Sequence, residues 1–240
     1  MEYQETDNTL RLCGVEPESI VDGPGFRFVI FVQGCPHHCP GCHNPQSHDF
    51  DGGYTVTEDE LFDAIKENRH LAGVTFSGGE PLVQEQFLSE CLTLLKGSVH
   101  TAVQTSGYAD QAVFREILAK ADLFLFDLKV MDEQNAKRYT GVGSAVILKN
   151  FDTLATSGKR FLVRIPLIPE AVATAKNFED IIRILSFYGI DYAEALPYNK
   201  LAGAKYALCG RSYTPDFNPD TPVTPPVELF AKHGITLKIL

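Results

Sequence analysis

Residues 33–45 read QGCPHHCPGCHNP and follow directly on the apolar run FVIFV at 28–32. Three cysteines, Cys35, Cys39 and Cys42, stand in a C-x3-C-x2-C spacing, with His37 and His38 between the first two and His43 after the third. Thiolates are soft ligands that select zinc, copper(I) or iron–sulfur clusters. A structural zinc closes its tetrahedron with four protein ligands, and His37, His38 or His43 offers a fourth. A cubane [4Fe–4S] cluster usually takes four thiolates, so three would leave one iron open to a substrate. Pro36, Pro40 and Pro45 tighten the loop, and no second CxxC pair follows downstream. On spacing alone an open cluster, a zinc site and a chance grouping all stand.

Working outward from this loop, short β-rich runs alternate with longer helical patterns. Strands are expected at 26–33, 72–77, 100–105, 122–128, 160–167 and 191–198, with helices at 58–69, 83–96, 110–120, 145–157 and 176–188. The Pro-rich segment TPDFNPDTPVTPPVE (214–228) reads as an irregular loop before a short helix and a closing strand in ITLKIL (235–240). Such alternation implies a parallel sheet with helical crossovers. Six β/α units are too few for a full eight-fold barrel and make a partial one. No linker or low-complexity tract divides the chain, so one domain over 1–240 is expected, with a short N-terminal extension and a C-terminal closing segment. Ser77-Gly78-Gly79-Glu80, Gln104-Thr105-Ser106-Gly107, Asp127-Leu128-Lys129, Arg164 and Pro197-Tyr198-Asn199 all fall late in a strand or just beyond it. In parallel α/β folds those ends converge on one rim, where the active site sits.

Composition narrows the function classes. A net charge of −10 over 240 residues argues against a nucleic-acid binder, which normally presents a basic face. No apolar run is long enough to span a bilayer. The opening MEYQETDNTL is acidic and polar, unlike a secretory signal, so a cytoplasmic, reducing location is expected. Of six cysteines, three crowd into the 35–42 loop, which suits a shared metal better than a disulfide framework. Cys91, inside an apolar helical pattern, reads as a small buried hydrophobe.

The C-x3-C-x2-C loop followed by Gly-Gly-Glu on the next strand resembles the radical S-adenosylmethionine (SAM) superfamily. Within it the chain is similar to the glycyl-radical-enzyme activating enzymes, with a layout like that of the pyruvate formate-lyase activators. The stretches carrying this are VDGPGFRFVIFVQGCPHHCPGCHNP, FSGGEPL, LFLFDLKVMD, LVRIPLIP and ALPYNKLAGAKY, in the family's order from Ile20 to Tyr206. The resemblance implies a partial (β/α)6 barrel of the radical SAM type. It makes Cys35, Cys39 and Cys42 ligands of a [4Fe–4S] cluster whose open iron chelates SAM. Reductive cleavage of SAM then gives a 5′-deoxyadenosyl radical, which takes a glycine Cα hydrogen from a partner enzyme.

The same resemblance distributes further roles. Gly78 and Gly79, lacking Cβ atoms, let the strand end approach the methionyl part of SAM. Glu80 balances charge there, although a Glu in that position also serves as a helix cap. Thr105, Asp127, Leu128, Lys129 and Arg164 are placed around SAM, with Lys129 and Arg164 near its carboxylate or ribose. For Asp127 and Lys129 a plain ion pair is the alternative. Gly41 and His43 flank the last cysteine, and His43 and Asn199 are placed near the adenine. Asp22, in Asp22-Gly23-Pro24-Gly25, is a substrate-side candidate, while by itself D-G-P-G is a turn.

Three positions depart from the pattern. Gly41 stands where an aromatic residue is common, as in the activating proteins of anaerobic ribonucleotide reductases. Gln104 stands where the pyruvate formate-lyase activator has an aspartate, which puts a monovalent-cation site there in doubt. Asn199 replaces a histidine. Only 31 residues separate Cys42 from Val74, too few for an auxiliary ferredoxin-like insertion. Implied partners are a glycyl radical enzyme as protein substrate and a flavodoxin or ferredoxin as electron donor, with no nucleic acid and no membrane; a monomer is expected. Alternatives are an anaerobic ribonucleotide reductase activator and a small-molecule enzyme such as 7-carboxy-7-deazaguanine synthase. The pair His43-Asn44 disfavours the latter, which tends to carry Asp and a hydroxyl residue there. A zinc-stapled or electron-transfer module is the non-enzymatic reading.

Overall fold

A computed structural model describes residues 9–68 and 70–240. Its strands are β1 (Thr9–Ser19), β2 (Arg27–Val32), β3 (Tyr54–Thr57), β4 (Gly73–Gly78), β5 (Thr101–Thr105), β6 (Leu123–Asp127), β7 (Arg160–Leu167), β8 (Tyr192–Pro197) and β9 (Thr236–Ile239). The helices are α1 (Glu58–Glu67), α2 (Glu85–Leu95), α3 (Gln111–Lys120), α4 (Glu133–Thr140), α5 (Ser144–Ala155), α6 (Ala175–Phe187), α7 (Ala202–Leu208) and α8 (Val227–Ala231). One sheet runs in the order β3-β1-β2-β4-β5-β6-β7-β8-β9. From β2 through β9 the neighbours pair in parallel, and β1 joins antiparallel to β2 and β3 at one edge.

The six expected strands are β2 and β4 to β8, which build the partial barrel of the radical SAM type; β9 is the closing strand. Four elements lie outside the sequence expectation: β1, β3, α4 and α7, with β3 (Tyr54–Thr57) falling where a loop before α1 was expected and pairing antiparallel with β1. β1 occupies the N-terminal extension, where two register shifts, between Leu12 and Gly14 and between Glu16 and Ser19, break the alternation that marks a strand. α4 (EQNAKRYT) buries only Ala136 and Thr140, and α7 (AGAKYAL) only Ala202, so neither shows the run of large apolar residues that marks a helix in sequence.

Alternation along the strands separates two environments. On β6, Phe124 and Phe126 face the helical layer and meet Phe114 of α3, with ring centroids 5.8 and 6.2 Å apart. Leu123 and Leu125 face the other way, into a small cluster with Ala102 and Leu162. Further along the same inner face the side chains turn polar: Gln104, Asp127, Arg164 and Glu194. The barrel interior thus has an apolar floor and a polar layer toward the strand C-termini, so the chemistry is confined to one end.

Two arginines are wholly buried. Arg27 donates to Thr75 Oγ1 and to the Val74 carbonyl, both at 2.6 Å, and burial lowers its pKa to about 10. Arg164 is treated with the site below. Among the described residues, no helix is long and apolar enough to cross a membrane.

Candidate functional site

The loop after β2 carries the three cysteines over the C-terminal end of the sheet. Cys35, Cys39 and Cys42 line one cavity together with His37, Gly41, His43, Gly78, Gly79, Glu80, Thr105, Asp127 and Lys129. Strands β4, β5 and β6 supply the last six, from Gly78 onward, because each ends at this rim. All six cysteines are free. Burial raises the thiol pKa values of Cys35 and Cys42, and that of Cys39 is pushed up to about 12. Without metal these sites hold neutral thiols, and loading iron displaces their protons. Among the described residues, no three His, Cys, Asp or Glu side chains are arranged to hold a single metal ion. The three cysteines face one shared cavity.

Polar groups in that space await partners. Buried Nδ1 of His37, Nε2 of His43 and Oδ1 of Asp127 have no hydrogen-bond partner, and all three residues line the cavity. A buried polar atom left unpaired is costly, and the ammonium, carboxylate, ribose and adenine groups of SAM offer the donors and acceptors that would satisfy them. The donor set and the unpaired atoms fit a cluster with SAM beside it.

Lys129 Nζ lies 2.9 Å from Asp127 Oδ2, and the two side chains are about four-fifths buried, at 20% and 17% exposure. Burial opposes the ammonium, but Asp127 first, then Cys39 and Glu80, outweigh it and raise its pKa. The cavity thus keeps one fixed positive charge, with the free Asp127 oxygen beside it. Leu128 between them points into the apolar core and does not reach the cavity.

Glu80 is the hub of the rim. Its Oε1 accepts from Thr105 Oγ1 at 2.5 Å and Leu82 N at 3.3 Å; its Oε2 accepts from Ser106 Oγ at 2.6 Å and Ser106 N at 2.9 Å. Burial raises its pKa while these bonds oppose that rise. The carboxylate caps the turn Pro81–Gln84 and ties β4 to β5, so in this structure its capacity is already spent on protein donors. Ser106 Oγ in turn lies 2.8 Å from His37 Nε2, which links the cysteine loop to the hub. Burial lowers the His37 pKa to about 3, so the ring is neutral.

The glycines are also demanded by the fold itself. A Cβ on Gly78, at φ +117°, would stand 2.2 Å from Val32 N, and one on Gly79 would stand 2.1 Å from the Gly34 carbonyl. Their missing side chains let β4 press against the root of the cysteine loop; the approach that demands glycine is backbone to backbone. Gly41 sits at φ +68°, and a Cβ there would meet the Tyr198 ring at 2.7 Å. The aromatic volume that the family pattern puts at this position is supplied from the end of β8 instead.

Three expected residues lie elsewhere. Arg164, 2% exposed, binds Glu194 Oε2 at 3.1 Å, Gln104 Oε1 at 3.0 Å and the Val21 carbonyl at 2.5 Å, and it does not line the cavity. Asn199 is exposed, and its Oδ1 accepts from Leu201 N at 2.9 Å, capping the turn into α7. Asp22 accepts from Ser19 Oγ and borders a second cavity with Lys205 and Asn44; Asn44 also lines the first.

Sequence reasoning missed the segment that covers the loop from outside. Lys205 Nζ donates to the His43 carbonyl at 2.7 Å, and Arg211 to the Pro45 carbonyl at 3.0 Å. Tyr198 and Tyr213 share a hydroxyl contact of 2.6 Å beside Gly41. Only the stretch ALPYNKLAGAKY gave a hint of it, through resemblance and not through pattern.

A partial parallel barrel with three thiols and a glycine-rich strand end at one rim defines a radical SAM site, and known proteins agree. A family profile described as a 4Fe-4S single cluster domain matches residues 21–147. The pyruvate formate-lyase-activating enzyme of Clostridium pasteurianum is 34% identical over 210 residues, covering 85% of this chain and 88% of that protein. The 4-hydroxyphenylacetate decarboxylase activating enzyme of Clostridioides difficile (strain CD196) is 30% identical over 268 residues, covering 83% and 85%. Among solved structures, a domain of a pyruvate-formate lyase-activating enzyme from Bacteroides vulgatus superposes with a TM-score of 0.55 at 27% identity, covering 70% of this chain and 99% of that one. Streptococcus suis SuiB bound to S-adenosylmethionine superposes at 0.61 with 12% identity over 86% of this chain and 48% of that one, a likeness of fold.

This chain belongs to the radical SAM family of glycyl-radical-enzyme activating enzymes. Its cofactors are a [4Fe–4S] cluster and SAM, and it generates a radical on a glycine of a partner glycyl radical enzyme.

Proposed function

We propose that the partner is a glycyl radical enzyme of the pyruvate formate-lyase type. The higher identity to the C. pasteurianum activator, 34% against 30%, carries this choice over the decarboxylase type. The alignment to the 4-hydroxyphenylacetate decarboxylase activator runs over 268 positions, longer than this entire chain of 240 residues, so it opens wide gaps in this chain. The alignment to the C. pasteurianum activator runs over 210 and needs almost none. Between Cys42 and β4 this chain has room only for a short 3-10 turn, β3 and α1. It works as one radical SAM core without an auxiliary insertion.

In this reading Cys35, Cys39 and Cys42 hold the cluster. Lys129, kept charged by Asp127, faces the SAM carboxylate, and the free Asp127 oxygen takes a SAM hydroxyl or N–H. Thr105 and Glu80 fix the rim beneath the methionyl part. His43 lies on the adenine side. Asp22 and the second cavity border the approach of the partner's backbone. When bound, the cluster and SAM supply the reducing electron and the carbon radical for hydrogen abstraction; the chain binds, orients and keeps water from them. Arg164 and Asn199 serve the barrel and α7. A flavodoxin or ferredoxin supplies the electron, and the free thiols suit a reducing cytoplasm.

The test begins with electron paramagnetic resonance on anaerobically reconstituted, reduced protein. A [4Fe–4S]+ signal that changes shape with SAM is expected. Mixing with a pyruvate formate-lyase should then yield a glycyl radical signal. A signal obtained only with a 4-hydroxyphenylacetate decarboxylase would overturn the choice of partner.

A further inference from the structure

Three tyrosines close the outer side of the cysteine loop, away from the SAM cavity. Tyr198, just past β8, and Tyr213 share the 2.6 Å hydroxyl contact, and Tyr206 of α7 packs on Tyr213 with ring centroids 4.8 Å apart. A Cβ on Gly41 would stand 2.7 Å from Tyr198 Cε2 and 3.3 Å from the Tyr213 hydroxyl, so these rings press on the residue before Cys42. Burial raises the Tyr206 pKa to about 12, with the Cys42 thiol the next influence, which places that phenol beside the last thiol of the loop. None of the three lines the cavity, and each is half-buried. They therefore stand between the loop and solvent. Lys205 on the His43 carbonyl, Arg211 on the Pro45 carbonyl and the Phe217 ring, edge-on to Tyr198 at 5.5 Å, hold this wall in place.

We infer that Tyr198, Tyr206 and Tyr213 keep water from the Cys42 side of the cluster and so hold its reduction potential low. The inference rests on the reading of Cys35, Cys39 and Cys42 as cluster ligands. Reduction from [4Fe–4S]2+ to [4Fe–4S]+ takes one electron from the external carrier and adds one negative charge to a thiolate-bound centre. Water stabilises that added charge far better than a dry protein wall does, and solvent exposure is one of the levers on such potentials. A dry wall thus makes the electron more reducing, which cleavage of the SAM sulfonium demands. The rings exclude the water, and Tyr213 is the keystone because it touches both other tyrosines.

The experiment uses the full chain, reconstituted anaerobically, as wild type, Tyr213→Phe, Tyr213→Leu and Tyr213→Ala. Leu208→Ala, 88% exposed on the same segment, is the control for a surface change. Iron content is measured first. The cluster signal is then titrated against potential without SAM, and after exchange into heavy water pulsed electron paramagnetic resonance counts the deuterons near the cluster. Tyr213→Ala is expected to keep its iron and to deepen the deuterium modulation. Its reduction equilibrium should move about tenfold toward the reduced form, which is about 59 mV for a one-electron couple. Tyr213→Phe keeps the ring and should stay close to wild type, with Tyr213→Leu between the two. Deeper modulation at an unchanged potential would overturn the inference, as would a shift in Phe or in the Leu208→Ala control as large as that in Ala. Iron loss in both Leu and Ala would also overturn it, leaving the ring as a support for the loop. A wild type without a [4Fe–4S]+ signal would instead refute the ligand reading, and the inference with it.

Discussion

Replacing Arg164 by Met tests whether its guanidinium belongs to the barrel or to the ligand. The side chain is 2% exposed and its Glu194 partner 8%, at 3.1 Å. Removing one member of a buried pair leaves an uncompensated charge and costs about 3–5 kcal/mol. The Gln104 oxygen and the Val21 carbonyl lose their donors as well. In a chain of this size each kcal/mol moves Tm by ~2–4 °C, so a fall of roughly 6–20 °C is expected. The chain has no Trp, so far-UV circular dichroism under anaerobic conditions is the appropriate probe. Arg164→Met combined with Glu194→Gln should regain much of the loss, because removing both charges abolishes the unpaired one. The SAM-induced change in the cluster signal should persist in the double variant, since Arg164 does not line the cavity. An unchanged Tm with a lost SAM response would refute this reasoning and return the guanidinium to the ligand.

Cys39→Ala should abolish SAM cleavage and lower iron content while the circular dichroism spectrum stays native; retained turnover would remove the cysteine from the cluster. Lys129→Met should weaken SAM binding roughly tenfold or more with iron unchanged, because a charge-assisted contact is lost; a fall in iron at constant affinity would make the lysine structural. Burial first, then Arg211 and His38, lowers the His48 pKa from 6.5 to about 4. Between those values the unfolded chain binds a proton that the folded chain refuses, so stability should fall as pH drops from 6.5 toward 4. His48→Gln should flatten that part of a urea-midpoint-against-pH curve, and an identical slope in the variant would rule His48 out.

The repeating part of the fold was legible because its signals are local. Apolar strands such as FVIFV and LFLF, separated by helical patterns, lead to the parallel order from β2 to β8, and the cysteine spacing together with the Gly-Gly-Glu strand end carries the resemblance that names the cluster. β1, β3, α4 and α7 were not legible: their pairing and docking depend on neighbours outside their own stretch, and their residues include few large apolar side chains. The same limit divides the rim. Asp127 and Lys129 share one face by alternation, so their cavity position follows from strand geometry. Arg164 also lies late in a strand, yet Glu194, Gln104 and Val21, distant in sequence, claim it.

The sequence by itself determined the β/α order, the three thiols, the glycine-glycine-glutamate strand end and, through resemblance, the radical chemistry. Only the tertiary structure decided that Glu80 is already filled by Thr105, Leu82 and Ser106, that Gly41 makes room for Tyr198, and that His37 is left with an unpaired nitrogen. Residue type and spacing state what a side chain can bond. Which bonds it has left for a ligand depends on groups brought within about 3 Å by folding, and a linear sequence does not contain that distance.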